Sequence, residues 1–232
     1  FTGSLLVGHA TTGTLSAATY NTGVGLLSMD AITTGDHNTA LGSQSLTTLT
    51  TGQKNTAVGR NASKLLLDSE ENVAVGYEAL VNNSTGDYNT AIGSNALYTN
   101  TGGHYNTTLG HQGLKLTTGD YNLSLGRRAG DNITSGDGNV IIGSVDAASA
   151  TGDRQLMITG YDGSTTTTWI QGDSSGNVTM PAELAAVSLD ISGAIDVDGT
   201  TNLDAVDIDG AVQIDGATTV GVDGTGLDVK FF

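Results

Sequence analysis

The sequence predicts an all-β fold, a parallel β-solenoid wound in 17-residue coils. Three observations carry that expectation: a pentapeptide that returns at a fixed interval, columns of like residues at fixed offsets from it, and a composition hostile to helix. The pentapeptide is NTALG at 38–42, then NTAVG at 55, NVAVG at 72, NTAIG at 89, NTTLG at 106, NLSLG at 122 and NVIIG at 139, with a divergent NTGVG at 21. Its asparagines, Asn21, Asn38, Asn55, Asn72, Asn89, Asn106, Asn122 and Asn139, are spaced by 17 residues at every step but one, which is 16. SLLVG at 4–8 fits one period earlier without the Asn.

Each column has a physical reading. Three residues after each Asn stands Val24, Leu41, Val58, Val75, Ile92, Leu109, Leu125 or Ile142, so this position is expected to form the core. The residue before it is small in most copies (Gly23, Ala40, Ala57, Ala74, Ala91), and strand alternation sends it to the opposite face, where another surface can approach closely. A second apolar column, Met29, Leu46, Leu80, Leu97 and Leu114, implies a second short strand in each coil. Gly35, Gly52, Gly86, Gly103, Gly119 and Gly136 precede their asparagines by three residues, where a tight turn is expected to need positive φ. Runs of Gly, Thr and Asn at this density penalise helix, while the β-branched residues favour strand. Strands this short gain stability only by stacking coil on coil.

The repeat occupies 1–147 and gives way at 148–181 to a junction that reads as two or three strands joined by polar turns. The only Trp, Trp169, lies there and is expected to cap the end of the solenoid. From 182 to 232 a second, acidic β-repeat begins, DISGAIDVDG at 190 and DIDGAVQIDG at 207, again offset by 17. Alternation would turn Ile191, Ile195, Val197, Ile208, Val212 and Ile214 inward and the aspartates outward, and the closing LDVKFF reads as a strand cut short.

Composition excludes several function classes. With 24 acidic and 8 basic residues the chain carries a net charge of −16, which repels phosphate backbones, so nucleic acid is not an expected partner. No stretch is long and apolar enough to enter a membrane, and with no Cys there are neither disulfides nor thiolate metal sites. The four histidines, His9, His37, His104 and His111, fall in different columns, and no metal, phosphate-loop or nucleophile motif is present. Identical coils offer ladders rather than pockets, so neither an enzymatic activity nor a pocket is expected. The DVDG and DIDG aspartates match neither the EF-hand nor the calcium β-roll pattern, and no cofactor is expected.

Two polar features remain as candidate sites. The eight asparagines are expected to form a structural amide ladder along the stack. One position earlier, Tyr88, Tyr105 and Tyr121 fall on consecutive coils and would make an outer aromatic strip. Such a strip is either a candidate site for a sugar chain or a set of rings that stack on one another and shield the backbone.

The NTALG-type repeat, with its upstream turn Gly and small-then-aliphatic pair, resembles the head repeats of YadA-type trimeric adhesins. It is still more similar to versions found in bacteriophage tail or capsid fibres, where such a stretch precedes a region like TTTTWIQGDSSGNVTMP; the acidic repeats resemble segments of structural proteins of marine phages. That resemblance implies a left-handed β-roll, an intertwined homotrimer, and a place on the virion among other virion proteins, with a host-surface glycan as a further partner. On that reading the chain is a stiff spacer, and the small-residue face with Ala40, Ala57, Ala74 and Ala91 lies near the subunit interface. The coil here is longer than the family's shorter head repeats, and no part of the sequence reads as the family's C-terminal chaperone domain. The alternatives are a bacterial trimeric surface adhesin head and a β-helical polysaccharide depolymerase, which would need a carboxylate pair in a groove between coils.

Overall fold

The computed structural model describes residues 4–7 and 17–181, all within the first of two compact units, Phe1–Ala185. The acidic repeat, the alternation expected of Ile191 and its companions, and His9 lie outside the described residues. Twelve strands follow in chain order in one sheet, with no helix among the described residues. They are β1 (Leu5–Val7), β2 (Thr22–Val24), β3 (Thr39–Leu41), β4 (Thr56–Val58), β5 (Val73–Val75), β6 (Thr90–Ile92), β7 (Thr107–Leu109), β8 (Leu123–Leu125), β9 (Val140–Ile142), β10 (Leu156–Tyr161), β11 (Thr166–Gly172) and β12 (Val178–Thr179).

Strands β1 to β10 pair in parallel, each with the next, and the register is set by the repeat: Thr39 faces Thr56, Ala40 faces Ala57 and Leu41 faces Val58. The result is a parallel β-solenoid of about eight turns. Each strand N–H reaches the following coil, as in Thr39 N–H to Asn55 C=O at 2.8 Å and Val73 N–H to Asn89 C=O at 2.8 Å. In-register stacking satisfies the backbone of strands too short to stand alone. The one 16-residue step omits the residue that Gly102 supplies in the previous coil, in an exposed turn, and the ladder continues across it.

Which residues face inward differs from the sequence expectation. The small column is the core: Ala40, Ala57, Ala74, Ala91, Thr108 and Ser124 are buried, whereas Leu41, Leu109 and Leu125 are about half exposed. The reason is space. A 17-residue circuit is narrow, and its interior is already filled from the opposite arc by Met29, Leu46, Leu80, Leu97 and Leu114 and by a further column of Ile32, Leu49, Leu66 and Ile133. Only methyl-sized groups fit between them on the strand side, so the larger aliphatics point out. The expectation that the alanine face meets another subunit is therefore overturned: those alanines are enclosed within their own chain.

Each coil contains one three-residue strand, not two. The Met29–Leu114 column is buried but sits in a turn, with φ between 46° and 54° at Met29, Leu46, Leu80, Leu97 and Leu114. Two more positions per coil are left-handed, at the residue before each Asn (Tyr88, φ 59°) and six after it (Glu78, φ 53°). None of these left-handed residues is β-branched, as the sterics of that region require.

The turn glycines divide differently from the expectation. The upstream column, Gly35 to Gly136, does not occupy the left-handed region; it is held to Gly by proximity. A Cβ at Gly86 would meet the Gly103 carbonyl of the next coil and lie 3.1 Å from Asn89 Nδ2. Ser69 is the exception and turns its hydroxyl onto Ser84 C=O at 3.2 Å. Positive φ belongs instead to the glycine that ends each pentapeptide, for example Gly76 at 138°.

The junction carries the sheet onward. β10 stacks in parallel on β9, with Met157 opposite Ile141, then turns back as an antiparallel hairpin with β11, to which β12 adds. The hairpin register shifts after Ile158 and leaves Trp169 without a partner. That bulge throws the indole over Gly160, where a Cβ would come within 2.6 Å of the ring. Trp169 is 53% exposed and does not close the core; β10 does that, through Met157 and Thr159.

Candidate functional site

The eight predicted asparagines are brought into one buried file, all at 0–1% exposure. Each side-chain carbonyl accepts from the backbone N–H of the next Asn, at 2.8 Å for Asn38 on Asn21 and 3.0 Å for Asn106 on Asn89. In most steps the next amide also donates to it, at 3.1 Å for Asn55 on Asn38 and 2.9 Å for Asn139 on Asn122. The amide of each Asn from 21 to 122 donates forward as well, to the turn carbonyl of the following coil: Asn38 to Gly52 at 2.9 Å, Asn55 to Ser69 at 2.8 Å, Asn89 to Gly103 at 2.8 Å. Ser4 starts the file by accepting from Asn21 N–H at 3.0 Å, and Gln155 ends it, donating to Asn139 Oδ1 from both backbone and side chain. With both ends of every amide engaged inside the chain, the file is a structural clamp.

A second polar file escaped the sequence reading. In the column of Ile32, Leu49 and Leu66 the next two coils place Asn83 and Asn100, fully buried. Each closes on its own turn: Asn83 accepts from Gly86 N–H at 2.7 Å and donates to Gly86 C=O at 2.7 Å, and Asn100 does the same with Gly103 at 2.7 and 3.0 Å. The change from aliphatic to amide within one column hid it.

Tyr88, Tyr105 and Tyr121 do form a strip. Their rings stack with centroids 4.9 Å apart and interplanar angles of 0° and 4°, and Tyr20 stacks on His37 in the same column at 4.9 Å. Both faces of Tyr105 are covered by its neighbours, so the strip presents ring edges and hydroxyls to solvent. Tyr121 keeps an outer face, because the next residue in the column is Gly138. Between the two stacks, Lys54 and Glu71 pair at 2.8 Å. Among the described residues, no group of three or more His, Asp or Glu side chains is placed to hold a metal ion.

A pocket, which the sequence reading did not expect, opens where the hairpin leaves the solenoid. It is a cleft of about 430 Å³ walled by Arg127, Arg128, Asp131, Asp146 and Tyr161, among others. Arg128 Nε binds Asp131 Oδ2 at 2.6 Å. The column that holds Ala62, Ala79, Ala96 and Ala129 in earlier coils passes to Val145, whose C=O accepts from Gly130 N–H at 2.8 Å, and the next residue, at the cleft wall, is Asp146. Burial, together with the hydrogen bond and charge of Asp131, pushes its carboxyl above the usual carboxylate range, and Arg128 opposes that shift. Tyr161 is fixed by its hydroxyl, which donates to Gly163 C=O at 2.9 Å.

A carboxyl that holds its proton more tightly in the folded than in the unfolded chain stabilises the fold below its unfolded pKa. It loses that contribution as pH rises through its folded pKa. Asp146→Asn keeps the side chain's size and removes the charge beside Asp131. It is expected to raise the denaturation midpoint at about pH 7 and change it little at about pH 3, below the carboxylate range, as measured by urea titration at both.

Comparison with known proteins gave no match: no family model, no curated protein and no solved structure is significantly similar to this chain.

Proposed function

We propose that the chain is a structural subunit of a fibre, a stiff spacer assembled as a homotrimer and placed on the virion surface of a bacteriophage, where it contacts the host. The observation that carries the reading is the outward face of the strand column. Coil after coil it presents Leu41, Val58, Val75, Ile92, Leu109, Leu125 and Ile142, flanked by Thr39, Thr56, Val73, Thr90, Thr107, Leu123 and Val140. The ribbon runs on through Leu156, Ile158 and Ile170 to Trp169. A continuous aliphatic strip of this kind marks a contact surface, and three copies joined along it would hide it from water. The resemblance of the NTALG repeat to YadA-type heads and phage fibres supports the number three and the setting.

Leu41→Asp combined with Leu109→Asp tests the proposal. Both side chains are about half exposed in the single chain, so the coils are expected to form with an unchanged circular dichroism spectrum while native mass spectrometry shows monomer in place of trimer. A monomeric parent chain, or a double variant that remains trimeric, would refute the ribbon as the interface.

A further inference from the structure

The cleft at the hairpin base combines features found nowhere else among the described residues. Arg127 and Arg128 are adjacent in a chain with only 8 Lys and Arg in all, and both line the same hollow. Arg128 is engaged by Asp131. Among the described residues no ion pair engages Arg127, whose backbone carbonyl is fixed by the Ser144 hydroxyl at 2.6 Å. Across the cleft stands the Tyr161 ring, 45% exposed and anchored through its hydroxyl. The hollow thus offers an unpaired guanidinium, an aromatic wall and a hydrogen-bonding carboxyl pair within a volume suited to one or two sugar rings.

We propose that this cleft binds a carboxylate-bearing saccharide, with Arg127 taking the sugar carboxylate, Tyr161 packing against the ring, and Asp131 and Asp146 accepting or sharing protons with its hydroxyls. Guanidinium and carboxylate match as a bidentate, charge-assisted pair. An amphipathic aromatic ring suits the mixed polar and apolar surface of a sugar. Neutral saccharides would leave Arg127 unused, and inorganic anions would leave Tyr161 unused. The charged and titratable groups around Asp146 are Asp131 and Arg128, with Arg127 and Tyr161 in the same walls. Protonation of Asp146 removes a negative charge beside the incoming carboxylate, so affinity rises as pH falls while the sugar stays ionised. The inference adds a ligand to the fibre reading without resting on it, since all these wall residues belong to one chain. A monomer that binds the sugar would refute the fibre and leave the cleft intact.

The test is titration of the whole chain by isothermal calorimetry and saturation-transfer NMR with three tetrasaccharides: glucuronate-containing, sialic-acid-terminated and neutral N-acetylchitotetraose. At least one acidic saccharide is expected to bind, more tightly as the pH is lowered towards the carboxylate range, and the neutral one not at all. Arg127→Gln, an exposed substitution, is expected to weaken binding tenfold or more with the unfolding midpoint unchanged, and Tyr161→Ala to weaken it similarly. The proposal is overturned if neither acidic saccharide binds at 10 mM, a concentration far above the about millimolar affinity of a weak site. It is equally overturned if the neutral saccharide binds as well, if Arg127→Gln binds like the parent, or if acetate at the same concentration displaces the sugar fully.

Discussion

Replacing Gly76 by valine is expected to prevent the chain from folding as a continuous solenoid. Gly76 has φ 138°, and a Cβ there would stand 2.6 Å from both the carbonyl carbon and oxygen of Gly93 in the next coil, and 2.9 Å from Ser94 N. All three atoms are backbone within the stacked ladder, so no side chain can rotate away. Strained φ alone costs on the order of 1–3 kcal/mol, and separating two coils sacrifices their hydrogen bonds as well. Alanine at this position is expected to cost about 4 kcal/mol, a large share of the roughly 5–15 kcal/mol that holds a domain together. Valine adds bulk that the φ angle also forbids. Guanidinium unfolding followed by circular dichroism checks both variants; a midpoint for Gly76→Ala equal to that of the parent would show that the coils can part without penalty.

Asn89→Leu ranks second in expected effect. The substitution strands one buried group, Asn106 N–H, which loses its acceptor at 3.0 Å, and removes one of the two donors to Gly103 C=O, at 2.8 Å, leaving Asn100 as the other. The unsatisfied N–H costs about 1–3 kcal/mol and the lost bonds whose partners keep a second contact add about 1 kcal/mol, so the total is about 3 kcal/mol. Because neighbouring amides share these bonds, the double change Asn89→Leu with Asn106→Leu is expected to cost less than the sum of the two single changes, a coupling of about 1 kcal/mol or more. Urea denaturation of the four proteins of the cycle measures it. Strict additivity would show that the amides act separately.

The legible part of the fold was the part that repeats by identity. Asn55, Asn72 and Asn89 align by eye, and the distance between them set the winding, the strand order and the register. Inside and outside were not legible, because hydrophobicity ranks Val58 above Ala57 while the narrow circuit ranks them by size. The aliphatic bulk that fills the interior comes from Leu46 and Leu49 on the far arc, and nothing local to Val58 announces that the space is taken. The Asn83 and Asn100 pair was missed because its column changes chemistry midway. The cleft was illegible for a different reason: Asp146 and Tyr161 lie where the repeat gives way to the hairpin, and they line one hollow with Asp131 only once the chain is folded.

The offset of 17 residues has a genetic consequence. Since each winding touches only the one before and the one after, a duplication or loss of 51 nucleotides adds or removes a whole storey and leaves every remaining contact as it was. Reach thus becomes a counted quantity, and a lineage can lengthen or shorten this molecule by whole storeys.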